Sequence, residues 1–499
     1  MKHILALLCL YLTVFAVSAQ TKTDNVLTAE KRSAKAAISP ESKDAINQAL
    51  PLIRSKKKLA SVRVDENYWK DVWPISPDSD TSTWYAMPEQ DKPVTISYIT
   101  DLDSIGILLH QNEVYNFSVV TNENDTAYIQ FKAAKAKAKF SKAYQHIHRN
   151  RTIIEIPEMY ELINVVFALS SLSDEEDSHV VRKDIPYYDE VVNWFRPYKN
   201  HKCVKLADSI LRDDFSMYWG LKMDTYIYDL GEDDDIISKG IYDRIAQNIG
   251  ENVISHEFLF EMEQFSKISR FKEFYDLHQG MYNDQISYYR NDLNIAQMQA
   301  WLNKNFPKTS YDCFKVIFSP LVDWNQSAAW FDNDGFKEAQ AHVNFPYPSE
   351  ADKSRFDVEN KLRDGQILFT EFNHAFINPE AEPYFDSLQF KEAFDDISPW
   401  VVKESIAAKS YSQSTALFNE YMNWSLVSIY LLDHAPEDIA NKMIASNEDW
   451  QLSRRGFKHF KSFNQNLIKL YKSKQKGQTV SDLYPEIINW CQKFIKNKT

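Results

Sequence analysis

The chain has 499 residues, a net charge of −13, 14% aromatic residues, ten glycines and four cysteines. An acidic balance disfavours nucleic acid and anionic membrane as partners, because both need clustered Lys and Arg. The scarcity of glycine and the absence of GxGxxG and P-loop motifs speak against a nucleotide-binding α/β protein, and the length exceeds what one hydrophobic core supports.

Taken in chain order, Lys2 and His3 precede an apolar run from Ile4 to Ala16. That run has signal-peptide length and is too short to span a bilayer comfortably. Val17-Ser18-Ala19 then places small residues where a signal peptidase cuts. The expectation is a protein exported to the periplasm or beyond, with 1–19 as leader and no transmembrane segment in the mature chain. Residues 20–60 are polar and rich in Lys, Ala and Ser, the composition of a flexible linker, with room for one short helix near Ser42–Arg54.

Character changes over 61–145. Val94, Ile96 and Tyr98 alternate with polar residues, and two alternating runs, Tyr115–Val120 and Tyr128–Phe131, flank Asn122-Glu123-Asn124-Asp125. This spacing predicts a hairpin within a small antiparallel β domain. Over 150–499 helical periodicity dominates, with helices expected at 361–376, 413–432, 435–445, 456–471 and 481–496. Phe314–Phe318 reads as a strand, stopped by Ser319-Pro320, whose edge is expected to receive an extended peptide. The fold class is therefore α+β: a small N-terminal antiparallel β domain, then a larger, mostly helical domain with a small sheet. Cys203, Cys313 and Cys491 form no CxxC pair, which disfavours a thiolate zinc site. They allow at most one disulfide, and the preferred reading is three buried small hydrophobes. The acidic runs 174–177 and 232–235 lack the spaced ligands of a calcium loop and read as solvated loops. Arg454-Arg455-Gly456 reads as a helix boundary with its charges in solvent.

The segment with chemistry in it is Ile367 to Pro379. On a helix ended by Asn378-Pro379, Thr370, Glu371 and His374 share a face. That is the layout of H-E-x-x-H with threonine in the place of the first histidine. In the complete motif two imidazoles one turn apart hold Zn²⁺, and the glutamate takes a proton from the metal-bound water. Glu420, on a later amphipathic helix, has the chain order of a third, glutamate ligand.

Glu371-Phe-Asn-His374-Ala-Phe376-Ile-Asn378-Pro379 resembles the H-E-F-x-H-x-F-x-N-P core of a bacterial domain-of-unknown-function family, whose members look like exported, zincin-like metallopeptidases. Ile156–Leu162, Ile317–Leu321 and Phe418–Tyr421 resemble further parts of that family, so that the likeness covers roughly 150–495. It implies a zincin-like helical domain, Glu371 as catalytic base, His374 and Glu420 as zinc ligands, and a peptide or protein as substrate. Thr370 departs from the pattern: its hydroxyl is a poor ligand and falls short of the reach of an imidazole. Three outcomes stay open. Another histidine (His256, His278, His342 or His434) swings in, a harder metal binds through oxygen ligands, or the fold persists without metal as a catalytically inactive binding protein of the cell envelope.

Overall fold

The computed structural model describes residues 50–64, 67–75, 82–86, 93–110, 113–121, 125–133, 138–242, 244–246, 254–349, 352 and 354–497. The expected leader and residues 20–49 of the expected linker lie outside them. Two compact units emerge: Met1–Lys137 with Asp214–Asp224 and Tyr242–Leu259, and Ala138–Asp213 with Thr225–Ile241 and Phe260–Thr499.

In the first unit, strand alternation builds two four-stranded sheets. One has the order β1 (Leu52–Arg54), β7 (Val114–Val120), β8 (Thr126–Ala133) and β4 (Ser82–Ala86). The other runs β3 (Asn67–Pro74), β2 (Leu59–Val64), β5 (Val94–Thr100), β6 (Ser104–Leu109), antiparallel throughout. The predicted hairpin is β7–β8, with Phe117 opposite Ile129. The first sheet is mixed, however, because β1 joins β7 and β4 joins β8 in parallel. Strand β1 occupies part of the stretch given to the short helix. Val62, Ile96 and Ile107 from one sheet meet Phe117, Ile129 and Phe131 from the other in a shared core, where the Tyr98 and Phe117 rings meet edge-on at 5.0 Å. Burying such side chains stabilises by about 1.5–3 kcal/mol each.

The second unit is built on a four-stranded sheet of order β13 (Ser327–Asn333), β14 (Phe336–Asn344), β12 (Cys313–Ser319) and β9 (Arg151–Glu155). A small hairpin, β10 (Tyr228–Leu230) with β11 (Ile236–Ser238), carries the 232–235 acidic run in its turn. The expected strand at 314–318 is present, but the expectation that its edge takes a peptide fails: β12 pairs in parallel with β14 on one side and β9 on the other. Every residue of β12 is buried, as parallel strands covered on both faces are. Among the described residues the strand with one partner next to the long motif helix is β13, which runs antiparallel to β14.

The helices that matter below are α1 (Glu158–Ala168), α2 (Pro186–Phe195), α3 (Gln279–Asp292), α4 (Ile295–Asn305), α5 (Asp357–Ala381), α6 (Ser414–His434), α7 (Glu437–Trp450), α8 (Phe460–Ser473) and α9 (Tyr484–Lys496). Helix α5 lies across β13 and β14 and against α6. Phe314 of β12 meets Phe372 and Phe376 of α5, at ring distances of 5.3 and 6.3 Å. Asn378-Pro379 does not end α5 as predicted: the helix continues to Ala381 with Pro379 inside it. Proline at 379 has no N–H for the carbonyl of residue 375. The Tyr311 hydroxyl donates to that Ala375 carbonyl instead, so the carbonyl is not left unsatisfied. The three cysteines Cys203, Cys313 and Cys491 are buried and unpaired. No helix among the described residues is long and apolar enough to cross a membrane.

Candidate functional site

Helices α5 and α6 meet along a seam, and its polar stretch holds the residues singled out from the sequence. Thr370, Glu371 and His374 come from α5, while Glu420, Asn423 and Trp424 come from α6 at i, i+3 and i+4, one face of the helix. The structure brings His374 and Glu420 together: His374 Nε2 lies 3.7 Å from Glu420 Oε2. Glu420 is 4% exposed and His374 22%.

Protein groups already engage both. Asn423 Nδ2 donates to His374 Nε2 at 2.9 Å, using the lone pair a metal would take. Glu420 Oε1 accepts from Trp424 Nε1 at 2.9 Å and from Arg455 Nη2 at 2.7 Å. Burial works to raise the Glu420 pKa, but the charge of Arg455 and the hydrogen bonds from Arg455 and Trp424 outweigh it, leaving the carboxyl below its ordinary value. Arg455 Nη2 also donates to Tyr411 Oη at 2.7 Å, and Nη1 donates to Gln451 Oε1 at 3.1 Å. Its guanidinium carbon sits over the Phe457, Tyr411 and Trp424 rings at 4.9–5.5 Å, a desolvated cation–π cage. Burial and the nearby Glu420 charge push the Tyr411 hydroxyl well above its usual range.

Arg455 is therefore not a solvated helix-end charge, as its sequence context suggested; only Arg454 behaves that way, lying 5.9 Å from the Trp450 ring. The cause is local. After α7 the chain winds wider into a π-helical turn, Gln451–Arg455, closed by Gly456 in the left-handed region at φ +85°. Such turns reorient side chains and recur at functional sites. A Cβ on Gly456 would stand 2.3 Å from Ser405 Cβ. Gly456→Ala combines left-handed strain with that clash, so it is expected to cost at least about 2 kcal/mol. A urea-unfolding midpoint equal to wild type would contradict this.

Thr370 points its hydroxyl back to its own helix, donating to the Ile367 carbonyl at 2.7 Å. None of the described candidate histidines replaces the missing imidazole. His278 is paired to Glu190 at 2.9 Å, and His342 meets Gln340 at 3.1 Å on the sheet. His434 is 14 residues beyond Glu420 on α6, roughly 21 Å at helical rise. The His256 side chain lies outside the described residues. Among the described residues no group of three or more His, Cys, Asp or Glu side chains could hold a metal ion. One imidazole and one carboxylate, both already hydrogen-bonded, do not fit a zinc site with three protein ligands.

Sequence reasoning missed Arg455, Tyr411, Asn423 and Trp424. The last two were within reach, since i+3 and i+4 from Glu420 share its face. Nothing local in the sequence announces the π-helical turn that swings Arg455 inward.

An α+β chain with a polar, charge-paired centre on a helix seam is thus defined. It belongs to the family described as domain of unknown function (DUF4932), whose model matches residues 152–490. No curated protein and no solved structure matches it.

Proposed function

We propose that this protein is an exported, non-catalytic member of its family, which binds an extended peptide or protein segment beside the α5–α6 seam without hydrolysing it. The observation that carries this reading is Arg455: a fixed internal cation already neutralises Glu420, where a zincin would place Zn²⁺. The binding edge is β13 rather than β12, because a strand partnered on one side can add a peptide by backbone hydrogen bonds. Glu371, at the position of the catalytic base, then has no metal-bound water to deprotonate.

A second reading, a zinc peptidase with Glu371 as base and His374 and Glu420 as ligands, draws support from the 3.7 Å gap between His374 and Glu420, which is short enough for one ion to bridge. One experiment separates the two. Purified wild-type protein is expected to hold no stoichiometric zinc by elemental mass spectrometry and to show no chelator-sensitive cleavage of casein. Casein digestion abolished by chelator would establish the peptidase, and one zinc per chain would remove the reading in which Arg455 takes the metal's place. Thr370→His supplies the absent imidazole and is expected to bind zinc at least about tenfold more tightly than wild type in a competition titration.

A further inference from the structure

Further along the same pair of helices, α4, α5 and α6 line a half-open cavity of about 250 Å³ that the seam chemistry does not use. Leu293 and Met298 wall it near the start of α4, Leu362 and Phe369 on α5, and Val427 and Leu431 on α6. At its back Phe369 packs on Tyr430 at 4.4 Å, and Tyr430 packs on His434 at 4.3 Å. Gly365 also lines it. Glycine inside a helix costs about 1 kcal/mol relative to alanine, and here the backbone is not left-handed; what lies over it is the end of a flexible side chain. A Cβ would meet the Met298 methyl at 2.7 Å.

Asn294 and Gln297 line it as well, and Gln297 already accepts from the Tyr430 hydroxyl at 3.3 Å; His434 and Gln366 are the polar groups that set the ligand chemistry. His434 Nδ1 lies 3.0 Å from the Tyr430 carbonyl, a contact only an N–H can make. In the neutral ring Nδ1 therefore holds the proton and Nε2 is an acceptor. Gln366 lines the cavity from α5, and among the described residues its amide makes no protein hydrogen bond. A concave site with apolar side chains and a few convergent polar groups is the usual form of a small-molecule site. At the rim, Lys361 is neutralised between Asp292 at 3.0 Å and Asp357 at 3.2 Å, so no free cation there calls for an anionic ligand.

We propose that this cavity binds a small neutral amphipathic molecule: a flat apolar body with a carboxamide-type head. The head's N–H donates to His434 Nε2, and Gln366 satisfies the rest of the head. The site is independent of the binding reading above, and its test does not involve that reading.

The Met298 methyl is a built-in reporter. Protein carrying ¹³C-methyl methionine, with the Met298 signal assigned by Met298→Leu, is titrated with benzamide and separately with toluene. Benzamide is expected to move the Met298 signal saturably and to bind at least fivefold more tightly than toluene. Gln366→Leu and His434→Phe, both at partly exposed positions, should each abolish that preference, bringing the two affinities together. A Met298 signal that ignores benzamide would overturn the proposal. So would equal binding of the two probes to wild type, or a preference that survives both substitutions.

Discussion

Arg455→Met is expected to destabilise the second unit by about 3–5 kcal/mol at pH 7, the range seen when one partner of a buried ion pair is removed. The substitution keeps an unbranched apolar stem and removes the guanidinium, with its bonds to Glu420, Tyr411 and Gln451. What it removes is the charge that lets Glu420 stay ionised at 4% exposure. Adding Glu420→Gln should recover most of the loss, because a neutral amide oxygen can still accept from Trp424 Nε1 and leaves no unpaired charge. Acid works in the same direction. In wild type the Glu420 carboxyl lies below its unfolded value of 4.5, so its contribution is present above that pH and lost as pH falls through the folded pKa. Without Arg455, burial dominates and raises that pKa. The variant's deficit should therefore shrink between pH 7 and pH 4. Urea-unfolding midpoints of wild type, both single variants and the double variant at the two pH values test this. A double variant as unstable as Arg455→Met would sink the ion-pair account.

What made Arg455 hard to foresee also limits the rest of the sequence reading. Local signals were legible: the β7–β8 hairpin follows from two alternating runs around a turn-rich stretch, and α5 and α6 follow from helical periodicity. Glu371, His374 and Glu420 were found because a one-turn spacing and a family likeness both point to them. Placement within the sheet was not legible. Strand β12 lies between β9 and β14, partners from either side of it in the sequence, so nothing local says that it is central rather than an edge. Strand β14 is masked in another way. Its buried face carries Glu338, Gln340 and His342, which read as loop residues until their partners are known. Tyr144 donates to Glu338 at 2.6 Å, and Lys315 from β12 lies 3.6 Å from it. A buried polar residue is affordable only when paired, and the pairing is a property of the tertiary structure. Pro379 teaches the same lesson, since the hydroxyl that satisfies the Ala375 carbonyl there comes from Tyr311, far away in sequence.

A second buried carboxyl behaves in the opposite way to Glu420, and its consequence is measurable. Glu161 on α1 is fully buried and has no Lys or Arg ion pair among the described residues. The Tyr187 hydroxyl of α2 donates to its Oε1 at 2.8 Å and lies 2.6 Å from the hydroxyl of Tyr282 on α3. Burial raises the Glu161 pKa to about 7, even though hydrogen bonds from Ser319 and Tyr187 and the charge of His278 pull it down. Below the unfolded value of 4.5 both states hold the proton. Between 4.5 and about 7 the folded chain keeps a proton that the unfolded chain releases, so stability falls as pH rises through this window and levels off above it. At 1.36 kcal/mol per unit the full effect is about 3 kcal/mol. Glu161→Gln is neutral at every pH and can still accept from Tyr187. It is therefore expected to match wild type near pH 4.5 and to exceed it by about 2–3 kcal/mol at pH 8. The Cys203, Tyr187 and Tyr282 pKa values all lie above their ordinary values, so none of these groups titrates within the window. His278 is paired to Glu190 close by, and His278→Gln in both backgrounds separates its contribution. Parallel pH dependences of the unfolding midpoint in Glu161→Gln and wild type between pH 4.5 and 8 would show that Glu161 is ionised in the folded chain and that the raised pKa is wrong.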